Sequence, residues 1–100
     1  MVRTAATPES PARPTADDVS ALLARHGYRL TVPRRAVVDL VLAQTRPFTS
    51  EQIVERASGI GRATVYRTLE LLASLDILSR VFRSDGHPAY VTGTPGHRHH

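Results

Sequence analysis

The sequence contains no cysteine, no tryptophan and no lysine. Without cysteine there is no disulfide framework, no thiolate zinc site and no cysteine nucleophile within these residues. Aromatic residues are only 5% of the chain, so aliphatic side chains must fill the core. With 41% apolar residues in 100 positions, that core is one modest domain's worth. No apolar run approaches the length of a membrane span, the start lacks the apolar block of a signal peptide, and no internal repeat occurs. What the chain has in excess is arginine. All thirteen basic residues are arginine, against nine acidic ones, for a net charge of +4. The guanidinium fork matches phosphate and guanine geometry, and a basic single domain points first to nucleic acid, then to acidic surfaces. A merely basic surface is the alternative until the arginines are placed.

Residues 1–14, rich in Ala, Thr, Pro and Ser with prolines at 8, 11 and 14, are expected to form a disordered tail. The first helix is expected to begin at Thr15, where Thr15 and Asp18 make a capping-box variant and Asp17 and Asp18 suit the positive end of the helix dipole. Val19, Leu22, Leu23 and His26 fall on one helical face, with His26 expected to be a partly buried structural histidine. Gly27 ends this helix. A second helix starts near Thr31 with Pro33 in its first turn, its buried face being Ala36, Val37, Leu40 and Val41. Thr49-Ser50-Glu51-Gln52 is a full capping box opening a short third helix to about Ala57, with Ile53, Val54 and Ala57 apolar. After a turn at Ser58–Gly61, a fourth helix runs from about Arg62 to Leu75. Val65, Leu69 and Leu72 form its stripe, Arg67, Glu70 and Ser74 lie opposite, and Tyr66 is on the flank. Leu78–Arg83 and Ala89–Thr92 are strand-like and joined by the turn Ser84-Asp85-Gly86. Gly93–His100 is a Gly/Pro loop ending in His97-Arg98-His99-His100.

Four helices followed by a hairpin, with a tight glycine-containing turn between the third and fourth, predict a mainly α winged helix-turn-helix with a two-stranded antiparallel wing. In that geometry the fourth helix enters the major groove. Its leading half carries Arg62, Thr64, Tyr66 and Arg67: two forks, a hydroxyl and an aromatic face that suit guanine, phosphate and thymine methyl groups. Arg34 and Arg35 lie in the first turns of the second helix, where cations oppose the dipole, so a phosphate partner explains them better than local helix energetics. Arg29, on an extended connector, has the reach for a minor groove narrowed by A·T sequence. On the wing, Arg80 and Arg83 cannot both point to one strand face, and Arg80 is taken as a phosphate contact. The competing reading for each is a solvated surface charge.

The stretch Gly61-Arg62-Ala63-Thr64-Val65-Tyr66-Arg67-Thr68-Leu69 resembles the DNA-reading helix of the ferric uptake regulator family of bacterial metal-responsive repressors. Tyr28-Arg29-Leu30-Thr31-Val32-Pro33-Arg34 is similar to that family's first DNA-contacting segment, and the hairpin and histidine loop match in order and spacing. The resemblance spans roughly Asp18 to His100. It implies a cytoplasmic homodimer that binds A·T-rich palindromic operators in double-stranded DNA when loaded with zinc, iron, manganese or nickel. It also implies that Tyr66 meets thymine methyls, Arg67 a base or phosphate, and Arg29 the minor groove. The expected organisation is a tail at 1–14, a winged-helix DNA-binding domain at 15–92 and a hinge loop at 93–100, with the family's α/β dimerisation domain absent. The chain departs from the family at the metal site. Pro47 stands where members often place a histidine, and Ser79, Val91 and Gly93 where the wing can carry a ligand. The turn from Ala57 to Gly61 is also short. His97, His99 and His100 remain as candidate ligands, whereas a stable site usually takes three or four; a flexible loop or a stretch of tag is the other reading. Nucleophile elbows, phosphate loops and paired carboxylates are missing, so no enzyme is expected. The runner-up function is a winged-helix module that binds protein and not DNA, since fold alone does not decide.

Overall fold

The computed structural model describes residues 14–92. The expected tail, Pro14 apart, and the histidine loop with His97, His99 and His100 lie outside the described residues. The element order is α1 (Ala16–Arg25), α2 (Val32–Leu42), α3 (Ser50–Arg56), α4 (Arg62–Ser74), β1 (Leu78–Phe82) and β2 (Pro88–Thr92). This is a winged helix-turn-helix.

Local chemistry starts each of the first three helices. Thr15 accepts from the Asp18 N–H at 3.1 Å while its own N–H donates to the Asp18 carboxylate at 3.0 Å. Thr49 and Gln52 make the same reciprocal pair at 3.2 and 2.9 Å, and the Thr31 hydroxyl accepts from the Arg34 N–H, with Pro33 in the first turn. Such caps satisfy amide groups that the helix itself leaves unpaired. α4 differs: Gly61 caps it without a side-chain hydrogen bond.

Two helices end in the same way. After α1, Gly27 N–H donates to Ala24 O at 3.1 Å and Tyr28 N–H to Leu23 O at 2.8 Å, with Gly27 at φ +82°. After α4, Asp76 N–H donates to Ala73 O at 3.1 Å and Ile77 N–H to Leu72 O at 2.9 Å, with Asp76 at φ +63°. Both are Schellman closures, which require a left-handed residue just past the helix.

Val37 and Val41 on α2, Leu23 on α1, Ile53 on α3, and Val65, Leu69 and Leu72 on α4 share one core with Phe48 and Leu78. Two expectations are corrected here. His26 is exposed, because α1 stops at Arg25 and the ring folds back at the C-cap to place Nδ1 3.0 Å from Leu22 O. On α2 the buried set is Val37, Val38 and Val41, with Ala36 and Leu40 only half-buried, because α2 is packed by α1, α3 and α4 together and its buried sector turns toward all three. Thr68 is buried as well, its hydroxyl satisfied by Thr64 O at 2.8 Å.

β1 and β2 pair antiparallel with Leu78 opposite Thr92, Arg80 opposite Tyr90 and Phe82 opposite Pro88. The sheet is tied to the helices by a link that local pattern does not announce. Phe48, just before α3, bridges Tyr90, with N–H to O bonds of 3.0 and 2.7 Å in the two directions. The rings lie 6.0 Å apart, so β2 is anchored to the start of α3.

Candidate nucleic-acid interface

Three groups of side chains carry the expected contacts. On α4, the residues that face away from the core are Arg62, Ala63, Arg67, Glu70 and Ser74, with Thr64 and Tyr66 half-buried on the flanks. Arg67 is exposed and has no hydrogen-bond, ion-pair or ring partner among the described residues. The absence of a side-chain cap leaves the first N–H groups of α4 without side-chain acceptors, an arrangement that favours an anion at that end.

Arg62 and Tyr66 are not free. Arg62 Nη1 and the Tyr66 hydroxyl both donate to Oε2 of Glu51, in the first turn of α3. Arg62 Nη1 also reaches the Tyr66 oxygen at 3.3 Å, with its guanidinium 5.9 Å from that ring's centre. The bond from Arg62 chiefly, then that from Tyr66, holds the Glu51 carboxyl below the ordinary carboxylate range. The bond to the Glu51 carboxylate pushes the Tyr66 phenol above its usual value, and the same carboxylate holds Arg62 more firmly protonated. Glu51 carries no direct sequence signal for this role. It reads as an acidic first-turn residue of a capping box, and its partners lie 11 and 15 positions away.

The second group surrounds the turn from α1 to α2. Arg34 Nη1 donates to Arg29 O at 2.5 Å, and its guanidinium sits 6.0 Å from the Tyr28 ring centre. Arg34 therefore braces the connector that carries Arg29. The Arg29 side chain is exposed with no partner among the described residues. Arg35 leans along its own helix to Asp39, Nε to Oδ1 3.3 Å, an exposed i, i+4 pair. Val32 stands out between them, 84% exposed.

The third group is the wing. Arg80 Nη2 donates to the Tyr90 hydroxyl at 3.3 Å, and its guanidinium lies 5.5 Å from that ring's centre. Arg83 pairs with Asp85 at 3.6 Å, and His87 reaches Asp85 at 3.2 Å. The His87 backbone N–H bond, above all, keeps the Asp85 carboxyl below its usual range. Between wing and α4 runs a groove of about 410 Å³ that brings Tyr66 and Arg80 onto one surface with Phe82.

Among the described residues no three His, Cys, Asp or Glu side chains cluster to hold an ion. Pro47 and Val91, two of the positions where the resemblance leads to the expectation of a ligand, line one groove with Gln44, Thr45, Arg46 and Thr92.

Comparison with known proteins places this surface in a family context. The model of the Ferric uptake regulator family matches residues 25–100. The ferric uptake regulation protein of Bacillus subtilis (strain 168) is 35% identical over 91 residues, a match covering 84% of this chain and 61% of that protein. A zinc-bound manganese uptake regulator superposes with a TM-score of 0.66 at 27% identity, covering 74% of this chain and 59% of the other. The Vibrio cholerae ferric uptake regulator does so with a TM-score of 0.62, also at 27% identity, covering 83% and 65%. The chain thus spans about three fifths of the length of these relatives.

Proposed function

From the premise that the chain belongs to the ferric uptake regulator family, we propose that residues 15–92 are the DNA-reading part of a metal-responsive transcriptional repressor. Its target is an A·T-rich palindromic operator in double-stranded DNA. Tyr66 offers its ring to thymine methyls, and Arg67 offers its fork to a base or phosphate. Arg29 enters the minor groove, and Arg34, Arg35, Arg62, Thr64 and Arg80 complete the surface. The whole protein works as a homodimer in the cytoplasm, because a palindrome is matched by a twofold pair of reading heads. No helix among the described residues is long and apolar enough to cross a membrane, and the protein is a regulator, not an enzyme.

The observation that carries this reading is α4 itself. Arg67 points outward unpaired beside Tyr66 and an uncapped helix start, in a chain of net charge +4. A protein-docking module would instead expose an apolar patch there. Among the described residues the large exposed apolar side chains are Tyr28, Val32 and Phe82, none of them on α4.

The regulatory metal we assign to the whole protein is zinc, iron, manganese or nickel. The described residues do not fit it, so its ligands in this chain are proposed to be His97, His99 and His100.

The test is duplex binding by fluorescence anisotropy across a salt series. Each phosphate contact contributes a slope of about −0.9 in log K against log salt. Arg67→Ala and Arg34→Ala are expected to weaken binding, and a lost phosphate contact flattens the slope by about that amount. Unchanged affinity and slope in both variants would overturn the reading.

A further inference from the structure

An acidic side chain in the middle of a DNA-reading surface needs an explanation, since it repels phosphate. Glu51 sits there half in solvent, with its side chain 55% exposed and that of Arg62 58% exposed. Neither burial nor core packing accounts for it. Helix energetics account for part. Glu51 lies in the first turn of α3, where the dipole favours a carboxylate, and it neutralises Arg62 at the first position of α4, where the dipole disfavours a cation. That does not explain why a third group, the Tyr66 hydroxyl, closes on the same oxygen.

Three consequences follow from the triangle. The guanidinium of Arg62 is turned to an internal anion, so it meets a phosphate only by leaving Glu51. The hydroxyl of Tyr66 is already donated, so the ring and not the hydroxyl is what the side chain offers outward. And the positive charge at the head of α4 is cancelled locally, so sequence-independent attraction to DNA is reduced where bases are read. We propose that Glu51 is a specificity-determining positioning residue, whose carboxylate withholds Arg62 from the phosphate backbone and fixes the Tyr66 ring toward base edges. This rests on the DNA-binding reading above.

The experiment uses the 100-residue chain with two duplexes of equal length, one an A·T-rich palindrome and one G·C-rich and non-palindromic, each over a salt series. In Glu51→Gln, Arg62 is released. The salt slope on both duplexes should steepen by about 0.9. Affinity for the G·C-rich duplex should rise several-fold, and the preference for the palindrome should fall. The gain must vanish in the Glu51→Gln, Arg62→Ala double variant, because the effect runs through Arg62. A gain of equal size in the double variant means simple removal of negative charge and overturns the proposal. An unaltered slope in Glu51→Gln overturns it too, while the DNA-binding reading stands if the parent chain binds. No duplex binding by the parent chain overturns both. Glu51 is exposed, so Glu51→Gln is expected to fold, and circular dichroism checks it; a variant that fails to fold is replaced by Glu51→Asp, whose shorter arm cannot hold both donors and is held to the same slope criterion.

Discussion

A phenol held between a carboxylate and a guanidinium titrates differently from one in water. The bond to Glu51 raises the Tyr66 phenol above its usual value of 10.0, so the fold favours the neutral form. Its contribution is present below that ordinary value and is lost as pH rises through the folded one. For Glu51 the sign is opposite: its carboxyl is held below the usual 4.5, chiefly by Arg62, so its contribution is present above 4.5 and is lost as pH falls through the folded value. With tyrosines labelled at the ring carbon bearing the hydroxyl, NMR titration is expected to place Tyr66 above 10 in the parent chain. In Glu51→Gln it should fall toward 10. A resonance that titrates identically in both would contradict the bond from Tyr66 to Glu51. The place of Tyr66 on the flank of α4 was legible in the sequence. Its partner was not, because periodicity reports which face a residue is on and says nothing of what crosses from a neighbouring helix.

At the scale of elements, the helix starts were the most legible part of the chain. A cap is a contact over three residues, so Thr15 with Asp18 and Thr49 with Gln52 could be read in place. The ends of α1 and α4 make a controlled pair. The same hydrogen bonds close both, but one uses glycine in the left-handed position and the other aspartate. A left-handed L-residue costs about 1–2 kcal/mol, partly offset by the extra freedom glycine gains when unfolded. Asp76→Gly is therefore expected to stabilise the fold by about 0.5–1 kcal/mol, and Gly27→Ala to destabilise it by about 1 kcal/mol. Urea melts of both variants check the opposite signs. On α2, the sequence placed Val37 and Val41 correctly and overlooked Val38, because a helix surrounded by three others buries more than the single stripe that amphipathic spacing assumes.

At the scale of the whole molecule, the wing is joined to the helices by Leu78 and Tyr90, which enter the shared core, and by the Phe48–Tyr90 bridge. Phe48 is only 2% exposed, so Phe48→Ala should cost about 3–5 kcal/mol in denaturant melts. Amide exchange should quicken in β2 at the same time. A loss confined to the helices, with β2 protection intact, would show that the wing stands without the bridge. Pairing of residues 42 positions apart depends on the assembled fold, which is why neither short motifs nor alternation pointed to it. The bridge also gives the molecule a path for force. β2 ends at Thr92, two residues beyond Tyr90, and Phe48 directly precedes Thr49, which caps the helix bearing Glu51. A pull on the chain at Thr92 is thus delivered through two backbone hydrogen bonds to the root of α3, making the wing a lever whose short arm ends beside α4.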